Sequence, residues 1–154
     1  MGIGKKFIQV LLLVTLLTGG CQPQTEDRQT EEKKLKDLIH ELFQVIDNHD
    51  YQALRDLCTE DFVLFEAGKM MNMEETIQFL SPFKGQGDVK RTLEDMHVHA
   101  HGTAAWVRLR HKALRTWNGH KRDIDWFESA GFRKEHGVWK IAFYHNSIIS
   151  VMEL

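Results

Sequence analysis

Two polar residues near the C-terminal end of the sequence, His145 and Ser147, have types and spacing suited to contacting a ligand. Residues two apart on a β-strand point to the same face, so both would continue the alternation of Trp139, Ile141 and Phe143. A histidine at the inner end of an apolar face could act as a general base or as a hydrogen-bond partner of a carbonyl or carboxylate. It could equally be a structural histidine bonded to a backbone carbonyl. Ligand contact without chemistry lies between these alternatives.

Three histidines alternate with apolar residues in the run from His97 to His101. Imidazole is a common zinc ligand, but residues on one face of a strand are about 6.5–7 Å apart. Three collinear ligands do not converge easily on one tetrahedral ion. We therefore expect no metal site and place His97, His99 and His101 on a solvent-exposed face.

Basic residues alternate with apolar ones further along, at Arg108, Arg110 and Lys112. They are expected on the solvent face, where Asp123 and Asp125 of the next strand can pair with them. If Arg110 instead faced inward, it would favour an anionic ligand. The sequence contains no glycine-rich phosphate loop, Ser-His-Asp signature or metal-spaced Cys/His cluster. We therefore expect no cofactor.

The N-terminal segment has the pattern of a bacterial export signal that ends in a cysteine. Lys5 and Lys6 precede an apolar run, and small residues lead to Cys21. This junction resembles the lipobox of bacterial lipoproteins, with Thr18 at the position that usually holds leucine. The resemblance predicts a cleaved signal peptide over residues 1–20, a lipid anchor on Cys21, and export to the bacterial cell envelope.

Composition limits what the rest of the chain can be. Removing residues 1–20 lowers the formal net charge from −2 to −4, since it takes away two lysines and no acid. No basic stripe with interleaved aromatic residues occurs, so nucleic acid is not an expected partner. Cys58 would be the only cysteine besides Cys21, which excludes a disulfide framework and makes Cys58 a small buried hydrophobe. Residues 21–33 lack large apolar side chains and predict a flexible tether before one domain over residues 34–154.

The apolar pattern of this domain changes from helical spacing to alternation. Spacings of three and four from Leu35 to Ile46 predict a first helix, and shorter helices are predicted around Leu54 and over Met73 to Leu80. A short strand is expected over Phe62 to Phe65. Four long strands follow, divided by glycine-containing turns, at residues 92–101, 103–117, 121–135 and 137–151. This order predicts an α+β domain whose helices cover one face of an antiparallel sheet.

Three segments together resemble the SnoaL-like branch of the nuclear transport factor 2-like superfamily. They are Ile46 to Leu54 (IDNHDYQAL), Cys58 to Phe62 (CTEDF) and the closing strand from Gly137 to Ser147. The resemblance covers about residues 33–151. It implies a cone-shaped, cystatin-like fold in which three N-terminal helices pack against a curved antiparallel sheet and enclose a pocket. Some members are enzymes, such as ketosteroid isomerase and scytalone dehydratase, and many are binding or dimerisation modules, so fold alone does not decide function.

The resemblance also implies where catalytic residues would lie. Glu66 falls where ketosteroid isomerase keeps its proton-abstracting carboxylate, but Leu42 occupies the position of its tyrosine oxyanion donor. The second donor position corresponds to Asp125 or, counted back from the last hairpin, to Ala130. An enolate without donors would lose the largest catalytic contribution. We therefore expect Glu66 to be an acid on an exposed turn.

The sequence favours a membrane-tethered domain that binds a small, partly apolar molecule or a partner in its cone, without turnover. The residues expected to contact this ligand are His145, Ser147, Trp139, Phe143 and Phe65.

Two alternatives remain open at this point. One is a small lyase or isomerase that uses His145 with Glu66 or Asp125. The other is a dimerisation or protein-partner module, because Trp106 and Trp117 are expected on an exposed face.

Overall fold

The computed structural model describes residues 25–85, 87–117 and 119–154, so the predicted signal peptide and Cys21 lie outside the described residues. The helices are α1 (Thr25–Asp47), α2 (Tyr51–Leu57) and α3 (Met73–Leu80), with a single 3₁₀ turn at Ser81–Phe83. The strands are β1 (Cys58–Glu66), β2 (Lys69–Met71), β3 (Val89–His101), β4 (Ala104–Trp117), β5 (His120–Glu135) and β6 (Val138–Glu153). They form one sheet in the order β2-β1-β6-β5-β4-β3.

The sheet confirms the predicted meander and adds one parallel pair. Strands β3 to β6 are antiparallel neighbours in chain order. Strand β1 then pairs in parallel with β6, which joins the first half of the domain to the second. The β5–β6 turn needs positive φ at both central residues, and His136 (49°) and Gly137 (85°) supply it. The early helices pack on one face, called here the inner face, and no described helix covers the opposite, outer face.

Helix α1 supplies much of the cover on the inner face. Its apolar stripe is buried at Leu35, Leu38, Ile39, Leu42 and Phe43, as the three- and four-residue spacing predicts. Short helices need good ends because they contain few internal hydrogen bonds. The side chain of Asp50 caps α2 by accepting from the Ala53 amide at 3.0 Å, and Asn72 with Glu75 forms a capping box on α3.

Helix α1 begins earlier than predicted. It starts at Thr25, inside the segment predicted to be a flexible tether, so that prediction is wrong from Thr25 onwards. Glu31 fixes this part of the helix, because its carboxylate accepts hydrogen bonds from Lys134 Nζ and Trp139 Nε1, each at 2.6 Å. Hydrogen bonding, above all from Lys134, lowers the pKa of Glu31 to about 2. Polar composition alone did not reveal these contacts with the last hairpin.

A β-bulge at Ala142 corrects the predicted orientation of β6. Gly131 pairs with Phe143 and Phe132 with Ile141, so Ala142 is an extra residue on β6. The bulge reverses the alternation: Ile141 is buried before it and Tyr144 after it. His145 and Ser147 therefore face outward, contrary to the prediction from unbroken alternation.

Two further irregularities bend the sheet around the helices. The β3–β4 register shifts between Glu94 and His97, where Asp95 has φ of 50°. The β5–β6 register shifts again between Asp125 and Trp126. Bulges increase local twist and curvature, so the inner face is concave enough to leave space beneath the helices.

Candidate functional site

A cavity of about 140 Å³, called here the inner cavity, lies between the early helices and the concave face of the sheet. It adjoins a cavity of about 240 Å³, the outer cavity, at the end of the sheet where β3 begins and β4 ends. Both are lined by Ile46, Leu80, Phe83, Arg91 and Arg115. The polar side chains around the inner cavity are Glu66, Arg91, His111, Arg115, Glu128 and Asn146.

A buried polar network lies beside the inner cavity on three neighbouring strands. His111 Nδ1 is 2.9 Å from Glu128 Oε1, and the Tyr144 hydroxyl donates to Glu128 Oε2 at 2.7 Å. Only 2% of the His111 and Glu128 side chains is exposed. Burial and the charge of Glu128 raise the pKa of Tyr144 well above its usual value, so the hydroxyl keeps its proton and donates. Two donors thus compensate the buried carboxylate.

The tautomer of His111 follows from its second neighbour. Arg91 Nη1 lies 3.2 Å from His111 Nε2, and a guanidinium can only donate. Nε2 therefore accepts, and Nδ1 carries the proton that is donated to Glu128. The imidazole is held between Phe43, with ring centroids 4.6 Å apart, and Trp126, which stacks at 4.7 Å. The ring cannot reorient without disturbing both neighbours.

Arg91 links this network to helix α1. Its Nε and Nη2 atoms bind the carboxylate of Asp47, with Nη2 2.6 Å from Oδ1. The guanidinium also lies 4.9 Å from the centre of the Phe43 ring. One chain of contacts therefore runs from Tyr144 on β6 across the sheet to Asp47 at the end of α1.

Arg115 is the second cation of the cavities, and it has a different environment. The sequence analysis did not single it out. It lies on the inner face of β4, and its guanidinium sits 4.3 Å above the Phe83 ring. Among the described residues no carboxylate lies within ion-pairing distance of it. Burial lowers its pKa, with a smaller contribution from Arg91, because both disfavour its charge.

Glu66 lines the inner cavity instead of lying on an exposed turn, which corrects that prediction. It ends β1, and parallel pairing of β1 with β6 brings it to Asn146, whose Nδ2 donates to Oε2. Burial raises the pKa of Glu66. The hydrogen bond from Asn146 lowers this pKa, and the negative charge of Glu128 raises it. Asn146 Oδ1 is buried and has no hydrogen-bond partner in the described part of the chain.

The comparison with protein families agrees with this architecture. A family model of the SnoaL-like domain matches residues 35–151, which is most of the chain. The chain belongs to the SnoaL-like domain family. This confirms the resemblance drawn from the sequence. No curated protein matches this SnoaL-like chain significantly.

Solved structures resemble the SnoaL-like chain in fold at low sequence identity. The dehydrochlorinase LinA-type3 from Novosphingobium barchaimii LL02 has a TM-score of 0.74 and 12% identity, over 85% of this chain and 94% of that one. The association domain of C. elegans CaMKII has a TM-score of 0.69 and 22% identity, over 79% and 98%. An NTF2-like protein of unknown function from Pseudomonas putida KT2440 has a TM-score of 0.65 and 18% identity, over 77% and 87%. These likenesses establish the NTF2-like fold.

The predicted ligand contacts all lie away from both cavities. Phe65, Phe143, His145 and Ser147 are on the outer face, where the rings of Phe65 and His145 meet edge to face at 6.0 Å. Trp139 is buried, but it packs against the N-terminal part of α1 through its bond to Glu31. The bulge at Ala142 accounts for Phe143, His145 and Ser147, because it reverses the alternation of β6 over these residues.

The other residues considered from the sequence are also on the outer face or outside the site. Asp125 forms an ion pair with Arg110, as the cross-strand pattern predicts. His97, His99 and His101 are exposed, and His99 stacks on Trp106 at 5.0 Å. No cluster of three or more potential metal ligands occurs within the described ranges.

The buried thiol of Cys58 is not a reactive group in this fold. Burial raises the pKa of the Cys58 thiol to about 12, so the thiol stays protonated at neutral pH.

None of the helices in the described part of the chain is both long enough and apolar enough to span a membrane.

Some of the site residues were within reach of the sequence. His111 lies between Leu109 and Ala113 in the alternation that put Arg110 and Lys112 outside, so its inward position follows from the same pattern. The inward positions of Tyr144 and Asn146 could not be predicted in this way, because they depend on a bulge that has no local sequence signal.

Proposed function

We propose that this SnoaL-like domain binds a small, partly apolar molecule that carries an anionic group, and that it does so in the inner and outer cavities without turnover. The observation that carries the proposal is the guanidinium of Arg115, which lies against the Phe83 ring and has no ion-pair partner among the described residues. Both residues line both cavities. Each cavity is below the roughly 300 Å³ of typical drug-sized sites, which favours a small ligand.

The charge on Arg115 is the reason to expect an anion. Burial disfavours the charge of Arg115, and the charge of Asp47 offsets this only in part. A ligand carboxylate would stabilise the cation through paired N–H···O bonds in the fork geometry of a guanidinium. Arg91 is less available because Asp47 already occupies it. The apolar part of the ligand would pack against Ile46 and Leu80.

The hydrogen bonds of the network argue for binding over turnover. His111 Nε2 accepts from Arg91, and both oxygens of Glu128 accept from protein donors. The one acceptor nitrogen of His111 is thus already used, and Glu128 already accepts two hydrogen bonds within the protein. Because His145 faces outward, an enzymatic alternative would have to use Glu66, whose raised pKa and position in the cavity suit a general base.

The binding proposal is tested with acid and amide pairs. Phenylacetate and phenylpropionate are titrated against the purified protein by calorimetry, alongside their uncharged amides. We expect the acids to bind more tightly than the amides, and Arg115→Gln to remove that difference. Arg108→Gln is the matched control, since Arg108 is exposed on the outer face of the same strand. Equal affinity for acids and amides, or equal losses in the two variants, would contradict the proposal.

The enzymatic alternative makes a different prediction. Turnover of a bound acid by wild-type protein, lost in Glu66→Gln while binding persists, would establish catalysis and overturn the absence of turnover.

We also propose that Cys21 carries a lipid that holds the exported domain on a membrane of the bacterial envelope. Support for this comes from the export-signal pattern before Cys21. A single acyl chain binds membranes weakly, whereas two or more give stable anchoring. Several chains on one residue would therefore anchor the domain without a spanning helix.

Contact between copies of the chain is a second candidate function. It is favoured by large apolar side chains on the uncovered outer face, since Trp106 is 52% exposed and Phe127 62% exposed. The side chain of Trp117, also expected there, is outside the described part. Sedimentation should show an oligomer that Phe127→Lys weakens. Val138→Lys, at the exposed first residue of β6, should not weaken it. A monomeric wild type at all concentrations would exclude this function.

A further inference from the structure

We propose that the molecule in the inner cavity is bifunctional, with its anionic group at Arg115 and a hydrogen-bond donor, O–H or N–H, at its other end beside Asn146. This inference rests on the proposed binding function and adds the chemistry of the second end of the ligand.

The first observation is a buried acceptor atom without a described partner, on a residue that lines the inner cavity. Asn146 Nδ2 donates to Glu66, but Asn146 Oδ1 is buried without a partner among the described residues. Buried polar atoms are nearly always hydrogen-bonded. A ligand that donates to Oδ1 would therefore gain a bond at a position already removed from bulk solvent.

The second observation is that the cavity wall beside Asn146 offers acceptors. Glu66 and Glu128, the nearest polar neighbours on the adjoining strands, both carry carboxylates. His111 donates its only N–H to Glu128, and the Tyr144 hydroxyl also donates to Glu128. A ligand acceptor at this end would meet acceptors and would be rejected, whereas a donor would be bound.

The third observation is the separation of this acceptor end from Arg115. Asn146 pairs with Glu128, and Glu128 pairs with Leu109 on β4. Arg115 lies six residues further along β4, which is about 20 Å of strand. The side chains shorten this distance by reaching into the same cavity, but one small functional group cannot contact both. The ligand therefore needs separate groups at its two ends.

The wall between the two ends is aromatic. Phe43, Phe79, Phe83 and Trp126 all line the inner cavity. A flat, rigid ring between the acid and the donor suits these side chains, because aromatic pairs gain from edge and offset contacts. Para-substituted phenyl acids combine these features and provide matched probes.

The experiment compares three acids of equal charge. Phenylpropionate, its para-hydroxy form and its para-methoxy form are titrated against wild-type protein by calorimetry, and the three phenylacetates repeat the series at shorter length. We expect the hydroxy acid to bind roughly fivefold more tightly than the unsubstituted acid, the worth of one net hydrogen bond. The methoxy acid, which can only accept, should bind no better than the unsubstituted one. The para-amino acid then distinguishes an N–H from an O–H preference.

Two variants test whether Asn146 is responsible for the preference for the hydroxy acid. Asn146→Leu should remove the advantage of the hydroxy acid while keeping the preference for acids over amides that Arg115 provides. His145→Gln, one residue away but on the outer face, is the matched control and should change neither. If Asn146→Leu does not fold, the three-acid comparison with wild-type protein still decides the question.

The outcomes separate the two proposals. Binding of all three acids with equal affinity overturns the bifunctional ligand and leaves the anion site standing. Tighter binding of the methoxy acid also overturns it, because the Asn146 amide would then present its N–H₂ group to the cavity. If none of the acids binds at millimolar concentration, both proposals are wrong.

Discussion

His111 and Glu128 form a 2.9 Å hydrogen bond between Nδ1 and Oε1, in which neither side chain has more than 2% of its surface exposed. Glu128 is the shared acceptor of the network, since the Tyr144 hydroxyl binds its second oxygen. Removing an acceptor from a buried network leaves donors unsatisfied, which costs more than the net worth of each bond. The network should therefore respond unequally to loss of its different members.

Glu128→Leu is expected to lower the free energy of unfolding by about 3–5 kcal/mol, because it leaves two buried donors, the His111 N–H and the Tyr144 hydroxyl, without an acceptor. Tyr144→Phe removes only one donor and should cost about 1–2 kcal/mol. Urea denaturation at neutral pH measures both. Equal losses would show that Glu128 is not the common acceptor.

The bulge at Ala142 predicts opposite sensitivities at two adjacent residues. Tyr144 is 4% exposed and belongs to the core, so Tyr144→Ala should cost about 3–5 kcal/mol. His145→Ala lies on the outer face and should change stability by roughly 0.5 kcal/mol or less. Thermal or urea unfolding of the two variants tests this. The reverse order would restore unbroken alternation in β6 and return His145 to the inner face.

Gly131 and Phe143 are expected to be energetically coupled. A Cβ on Gly131 would lie 2.1 Å from Phe143 Cε1, so the ring must move away. We expect Gly131→Ala to cost about 1–3 kcal/mol in wild-type protein and much less in a Phe143→Ala background. A double-mutant cycle in urea measures the coupling. Additive effects would mean that the ring does not cover the glycine.

Glu31 should make stability depend on pH in the acid range. Its pKa is about 2 in the folded protein against an ordinary 4.5. The ionised carboxylate therefore stabilises the fold fully above pH 4.5, and this contribution is lost as the pH falls toward 2. Glu31→Gln should cost about 1–2 kcal/mol at neutral pH, and the variant and wild type should converge in strong acid. Glu32→Gln, whose contact with Arg28 is 3.5 Å and exposed, should show neither effect.

The lipid proposal predicts that Cys21→Ala abolishes membrane fractionation of the processed protein, because acyl chains supply about 0.8 kcal/mol per buried CH₂. Fractionation of cell envelopes followed by immunoblotting measures this. Cys58→Ala is the control and should remain with the membrane. A cleaved Cys21→Ala protein that stays in the membrane fraction would contradict lipid attachment.

The fold was largely accessible from the sequence because its signals are periodic and local. The stripe that begins at Leu35 predicts α1, Met73 to Leu80 coincide with α3, and glycine-containing turns separate the four long strands. The parallel pairing of β1 with β6 had no such signal. It depends on contacts between residues about 80 positions apart, such as Phe65 and His145.

The site was harder to predict from the sequence, because one inserted residue, Ala142, determines which side chains of β6 face inward. Before Ala142, alternation predicts the buried Trp139 and Ile141 correctly. Beyond Ala142, the same rule places His145 and Ser147 on the inner face, whereas the structure has Tyr144 and Asn146 there. Glu66 was misplaced for a related reason, since its burial arises from β6 packing beside it and not from its own turn.

The early start of α1 has a consequence for how the cavities would be presented to their surroundings. Cys21 precedes Thr25 by four residues, a reach of at most about 14 Å. The helix then runs about 33 Å to Asp47, which lines the outer cavity. A lipid on Cys21 would thus hold the beginning of the helix close to the bilayer. With α1 directed away from the membrane, the cavity entrance would lie at the far end of the helix. Ligands would then enter from the aqueous side of the envelope, not from the lipid.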